Sequence, residues 1–475
     1  MIASIFVVVI GITLCAIVIE NPNLGAQVVP AVTLAVIATL FASFNSRWLA
    51  PFVLAVWALE PEIRRIVDYD FQSYTSVTIL SVTPMLCTIP LIIPIVRRWS
   101  KLTPELRLPT ILFAIAFAYA AIIGIVKNGL TAIYDLAQTI LPMLFLFYLV
   151  LRKLDIKERS KWLSEMVVIG VLVAIYGWVQ FVTAPPWDMF WLTRSGMTSM
   201  GTPQPLMFRM FSTLNSTGPA AGFLATTAAL ALTDRRWRGT PGWLGVALMG
   251  TAVAITEVRA VWLTLIITIV GYVALGSKKA RWQALVGVGV TVLLFVIIIP
   301  RMPGGDVVVQ RTQTLNNLGQ DKSANARQSL VTSLLPTLLS DPMGQGFGGT
   351  GVGSKLQGET VNGSLDNGYL TLLETYGVIG FPVYIAAFLL LAIAVSKMKS
   401  VPGNTSPVAI SLATLVATIV ALMGYDVLTG VSAVWIWFVI GIPLGTFART
   451  AEIDSSIRAE SSTFRQSGQF SRSTR

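Results

Sequence analysis

The sequence predicts an all-α, polytopic integral membrane protein with about 12–14 transmembrane helices and a long extracytoplasmic loop. Three observations predict it. Charged residues make up 12% of the 475 and hydrophobic residues 54%, whereas a soluble domain is about 25% charged. Apolar runs of about 15–22 residues recur along the whole chain, enough to cross a hydrocarbon core of about 30 Å. Lysine and arginine concentrate in alternate connections between the runs, as expected of loops kept on the cytoplasmic side.

The runs follow in order. The first, 2–19, has no basic leader and is succeeded by further runs, so it reads as a retained helix and not a cleaved signal. Next come 27–44 and 48–59, the latter short enough to be re-entrant. Full-length runs occupy 75–96, 108–126, 130–151 and 166–184. A long connection, 185–218, leads to 219–233, 242–258, 260–276 and 283–300. A second one, 301–366, leads to 379–396, 408–424 and 430–448. The membrane domain is thus 1–448, with 301–366 as a long periplasmic loop within it. The tail 449–475 is rich in Ser and Arg and poor in apolar residues, which predicts a disordered cytoplasmic segment.

With the N-terminus in the cytoplasm, the inside segments are "RRWSKLTPELR", "RKLDIKERSK", "DRRWRG", "SKKAR", "KMK" and the tail. Together with Arg47 they hold 23 of the 34 basic residues. An even number of spans puts both termini in the cytoplasm. The net charge of +11 is therefore an orientation signal, and no nucleic-acid partner is expected. Histidine is absent. That excludes imidazole bases, Ser-His-Asp triads and His-based metal sites, and no metal or other cofactor is expected. Cys15 and Cys87 both lie inside apolar runs and read as small core residues.

The chemistry-bearing residues collect in the outer connections. The segment 185–218 opens with Trp187 and Trp191, which suit a membrane interface, and carries Arg209. In 301–366, Leu330, Leu334, Leu335, Leu338 and Leu339 recur at helical spacing across Pro336, predicting a short helix. "GQGFGGTGVG" follows. It is either a flexible linker or a loop whose backbone approaches a ligand closely, and it matches no nucleotide-binding fingerprint. Arg259 lies in a very tight outer connection, "ITEVRAVWLTLI". An arginine near hydrocarbon costs a few kcal/mol unless it snorkels or is paired. It either snorkels, pairs locally with Glu257, or clamps an anion. Arg209, Arg259 and Arg327 are three separate outer arginines, and the planar guanidinium binds phosphate oxygens two at a time.

Four stretches carry a resemblance. "RMFSTLNSTGPAAGFL" (209–224) is similar to an Arg–Phe–Gly-Thr–Asn-Pro-Asn segment, with Ser-Thr and Asn-Ser-Thr in place of the last two parts. "TEVRAVWL" (256–263) is similar to Thr-x-Ser-Arg-x-Ala-Trp-Leu, with Val258 for Ser. "ARQSL…DPMGQGFG" (326–348) is similar to an Arg-led loop helix ending in Pro–Gly–Gly. "DNGYLTLLETYGVIG" (366–380) keeps the spacing of a motif of His, then Asn, nine residues, Gly, two residues and Gly, with Asp366 at the His position. These belong to the O-antigen polymerase and O-antigen ligase superfamily, which the chain resembles over about residues 100–450. The resemblance implies a GT-C-like membrane glycosyltransferase of the bacterial inner membrane. Its substrate would be an undecaprenyl-diphosphate-linked oligosaccharide, and a chain-length regulator and export proteins would be its partners.

By matching position, Arg209 and Arg259 would contact the diphosphate, joined by Arg327. Asp366 would take the proton of the acceptor hydroxyl, or else cap the helix that begins near Asn367. Asn367, Glu257, Tyr369 and Glu374 complete the expected substrate contacts. Glu374 is a poor partner for Asp366 in a glycosidase pair. Eight helical residues span about 12 Å, and such a pair needs roughly 5–9.5 Å. The expected activity is polymerisation of lipid-linked repeat units into a surface polysaccharide: exopolysaccharide, capsule or O-antigen. A ligase acting on lipid A core and a transporter or flippase of lipid-linked sugars are the alternatives.

Overall fold

The computed structural model describes residues 21–276, 322–350, 365, 367–398 and 405–445, and part of 281–301. The run 2–19 with Cys15, most of 283–300, the loop stretches 302–321 and 351–364, Asp366 and the tail from 446 lie outside the described residues.

The chain is an all-α multi-pass membrane protein. Its helices are α1 (Pro22–Ser43), α2 (Leu49–Asp70), α3 (Ile79–Lys101, with a 3-10 turn at Ile89–Leu91), α4 (Pro104–Asn128), α5 (Leu130–Arg152) and α6 (Ile156–Thr183). Then come α7 (Pro186–Arg194), α8 (Thr217–Thr233), α9 (Gly242–Ile255), α10 (Arg259–Leu275), α11 (Lys322–Ser340), α12 (Gly368–Lys397), α13 (Thr405–Ala421) and α14 (Gly430–Gly445). Among the described residues there is no strand, only an isolated bridge between Gly201 and Phe208. Helices α1, α3, α4, α5, α6 and α12 are each long and apolar enough to cross a membrane, and α9, α10, α13 and α14 are shorter apolar helices.

Contacts join helix ends at two opposite ends of the bundle. At the basic end, Arg152 of α5 donates to Asn45 beyond α1. At the opposite end, termed distal, Lys127 of α4 pairs with Asp341 just past α11. The broadest contacts join α10 to α13 and α4 to α12. Phe113 and Phe117 of α4 stack near Tyr384 of α12, and Trp437 of α14 closes the group edge-on.

One expected element is corrected. The run at 48–59 is not a short re-entrant segment but the first half of α2, which continues as helix to Asp70. Hydropathy stops at Leu59 because "EPEIRRIVDYD" is polar, yet Glu60, Glu62, Arg64, Arg65 and Asp68 are all buried. The helix persists because those charges pair along it, Glu62 with Arg65 at i,i+3 and Arg64 with Asp68 at i,i+4.

Helix α12 breaks at Gly377, whose φ of 61° and ψ of −178° interrupt the helical ladder. A side chain there would be strained, and a Cβ would collide with the backbone of Met343 and Gly344. The freed carbonyls of Glu374 and Thr375 accept from Gln345 N at 2.7 Å and Gly346 N at 3.1 Å. Ile379 N donates instead to Pro342 O. The loop after α11 thus plugs the break and replaces the helix's own missing bonds.

Candidate active site

Four helices start at the distal end around one short connection, residues 422–429, which links α13 to α14. Gly368 N, opening α12, donates to Leu422 O at 2.7 Å. Gly424 packs so closely on Ala260, in the first turn of α10, that a Cβ on it would lie 3.0 Å from the alanine methyl. Tyr425 donates its hydroxyl to Gly218 O at the start of α8. Asp426 accepts from Leu428 N and Thr429 Oγ1, closing the turn that leads into α14. Burial pushes the Asp426 carboxyl above its ordinary value, opposed by those two bonds. Helix N-termini expose unpaired N–H groups and carry partial positive charge. At α12 the first three N–H groups are already taken, by Leu422 O and the Asn367 side chain, so what these four helix starts offer an anion is chiefly their partial positive charge.

Arg209 and the 256–259 turn meet beside this locus. Thr256 and Glu257 form the turn between α9 and α10, with Glu257 in the left-handed region at φ 55°. Arg209 donates through Nε to Thr256 O at 3.2 Å and through a terminal nitrogen to Glu257 O at 3.3 Å. Met210 N bonds Ile255 O. Arg259 is the first residue of α10 and is half-buried. The structure therefore brings Arg209 to Glu257, 48 positions away and two before Arg259. Arg327 lies on α11; its side chain lies outside the described residues. Below Arg259 a narrow crevice of about 50 Å³ runs between α8, α10, α13 and α14. Its wall includes Thr226, Thr264, Thr268, Thr414 and Thr418. Each of these hydroxyls bonds a carbonyl of its own helix, so the threonines offer mainly methyl surface.

The start of α12 settles one alternative. Its N-cap is Asn367, whose side-chain oxygen accepts from Tyr369 N and Leu370 N. The reading of Asp366 as the cap is corrected accordingly. An asparagine at this place satisfies two of the helix's unpaired donors, so sequence alone could not tell which of two adjacent capping residues serves. Tyr369 donates its hydroxyl to Ile419 O at 2.6 Å and ties α12 to α13. Glu374 is two turns further on and 4% exposed. Its main chain holds Gln345, and its carboxylate makes no hydrogen bond to another described residue.

Of the glycine-rich stretch, residues 344–350 are described, and they are not a loose linker but pack against helices. Phe347 is buried between Phe117 of α4 and Tyr376 of α12. Asn128 donates to the Gln345 and Phe347 carbonyls, Lys127 to Gly344 O, and Gly348 N donates to Asp135. Gly346 lies on the backbone of Gly124, where a Cβ has no room. The close backbone approach expected of these glycines is made to helices α4 and α12.

A buried polar cluster escaped sequence reasoning. Arg65, fully buried, faces Asp188 Oδ1 at 2.8 Å and also pairs with Glu62. Tyr176 bonds both Glu62 and Asp188, and Trp187 donates to Glu62 at 2.6 Å. Arg65 also lies over the rings of Trp191 and Phe211. Trp187 and Trp191, expected at a membrane interface, instead pack on this cluster, with Trp191 buried. The signal present in the sequence was the i,i+3 and i,i+4 charge spacing in "EPEIRRIVDYD". Its partner Asp188 lies 123 positions away and left no local trace.

Comparison with known families adds one finding. Residues 244–385 match the family model described as O-antigen ligase. The match takes in the 256–263, 326–348 and 366–380 stretches and stops short of 209–224. It agrees with the O-antigen polymerase and ligase superfamily that those stretches resemble. No curated protein matches the chain.

Proposed function

We propose that this chain, which carries an O-antigen ligase family domain at 244–385, polymerises undecaprenyl-diphosphate-linked oligosaccharide repeat units into a surface polysaccharide. The reaction takes place at the distal end, on the outer face of the bacterial inner membrane, with both termini in the cytoplasm. The observation that carries this reading is the placement of Arg209 on the carbonyls of the turn that ends in Arg259, beside four converging helix N-termini. A cation in a helix's first turn opposes the dipole and costs about 0.3–1 kcal/mol. A bound anion would offset that cost.

The chemistry needs little more. The acceptor hydroxyl oxygen forms a bond to the anomeric carbon as the bond from that carbon to the diphosphate oxygen breaks. The diphosphate leaves on its lipid with the electron pair, and Arg209 and Arg259 stabilise the charge that develops on it. Asp366 receives the hydroxyl proton. Asn367 caps the helix through its side-chain oxygen, and its amide nitrogen would bind a sugar hydroxyl. Polymerisation is favoured over ligation because the chain has no histidine, and a carboxylate stands where the ligase motif places an imidazole.

The test uses purified protein in detergent with synthetic undecaprenyl-diphosphate repeat units. A ladder of products longer than one unit supports the polymerase. Transfer only to added lipid A core supports the ligase. No product with either acceptor supports a transporter, which needs two compartments.

A further inference from the structure

We infer that Gln180 and Arg65 are positioning residues for Arg209. From inside the bundle they fix the Phe211–Leu214 backbone, which sets where Arg209 stands against the turn between α9 and α10. The inference rests on the proposed contact of Arg209 with the diphosphate and extends it to residues that touch no substrate.

The segment 209–214 belongs to no helix, yet Met210, Phe211, Ser212, Thr213 and Leu214 are buried. Buried backbone groups outside regular structure need partners from elsewhere. Gln180 supplies three of them. Its Oε1 accepts from Phe211 N at 3.2 Å and Ser212 N at 2.8 Å, and its Nε2 donates to Ser212 O at 3.0 Å. Arg65 supplies one more, donating to Leu214 O at 2.7 Å, and adds a second bond to Ser212 O. Ser212 sits in the left-handed region at φ 53°, uncommon for a residue with a side chain. Its surroundings impose that conformation: Ser212 Oγ donates to Val173 O and Thr213 Oγ1 to Ala58 O.

The clamp is itself rigid. Gln180, Arg65 and Asp188 are all fully buried. Gln180 Nε2 also donates to Asp188 at 2.9 Å, and Asp188 and Glu62 balance the Arg65 charge. At the other end of the segment, Arg209 N donates to Met200 O, and the Arg209 side chain reaches the 256–257 carbonyls. A shift of the Phe211–Ser212 backbone therefore moves the guanidinium off that turn. Sub-ångström placement of this kind is what a site built on an irregular segment requires from its surroundings.

The experiment uses full-length protein purified in detergent, with undecaprenyl diphosphate as the probe. Gln180→Leu keeps the volume and removes the clamp's hydrogen bonds. Its affinity for the probe is expected to fall about tenfold, with no further fall when Gln180→Leu is added to Arg209→Ala. Amide exchange at 211 and 212 should quicken while α6 and α8 stay protected. Arg65→Lys keeps the buried charge but not the reach to two carbonyls. It should show a smaller loss with the same non-additivity, and it decides the matter where Gln180→Leu does not fold. Equal losses in the wild-type and Arg209→Ala backgrounds would mean a merely structural role and overturn the inference. So would unchanged affinity in both single variants, or unchanged exchange at 211 and 212 in folded Gln180→Leu. If Arg209→Ala itself binds the probe like wild type, the diphosphate reading of Arg209 fails. Faster exchange at 211–212 then still upholds the clamp.

Discussion

At the scale of single residues, Arg209 bonds the turn that leads into Arg259, and as proposed diphosphate contacts neither should tolerate lysine. Lys keeps the charge but not the fork that grips two oxygens. Arg209→Ala is expected to weaken undecaprenyl diphosphate binding about tenfold or more, read by equilibrium titration, without lowering thermal stability in detergent. Asp366→Asn is expected to abolish chain extension while the protein inserts and purifies normally. With Asn367 as the cap, that variant changes a proton acceptor and little else, so wild-type-length products from it would move the proton elsewhere. These residues draw attention in the sequence because arginine and aspartate stand out against apolar flanks. Arg65 and Asp188 do not, since each reads locally as an ordinary charged residue. Only the tertiary contact reveals that they are buried and paired.

At the scale of elements, hydrophobic periodicity placed nearly every described helix, with ends off by a few residues. It failed where burial is polar. Helix α2 runs on for eleven residues past its apolar half, and α12 begins at Gly368, well before the run expected at 379. The break at Gly377 explains both glycines of the 366–380 motif: Gly377 adopts the left-handed conformation, and Gly380 lies against the ring of Tyr119. Gly377→Ala is expected to destabilise the protein by more than about 1 kcal/mol, from backbone strain alone, and to lower its melting temperature in detergent. An unchanged melting temperature would mean the loop after α11 does not lock the break. Arg65→Ala removes one partner of a buried ion-paired group and should cost roughly 3–5 kcal/mol, seen as loss of folded protein on extraction. A change below about 1 kcal/mol would place Arg65 in contact with water.

At the scale of the whole molecule, contacts between helix ends join α1 to α5 at one end and α4 to the loop after α11 at the other. Among the described residues, the Arg209 segment, the 256–257 turn and the 422–429 connection lie together at the distal end. The distal end joins polar helix starts and two arginines above a bundle whose outer surface is apolar. That combination suits a substrate with a charged head and a hydrocarbon tail. Least legible were contacts between segments far apart in the chain that carry no periodicity, such as Arg209 with the 256–257 turn and Arg65 with Asp188. The most direct measurement is the rate of polymer formation by purified Arg259→Lys from synthetic undecaprenyl-diphosphate repeat units in detergent. The account predicts a fall of about 10²–10³-fold relative to wild type, with insertion and melting temperature unchanged. A rate equal to wild type would show Arg259 to be a membrane-surface anchor and contradict the claim that it holds the diphosphate.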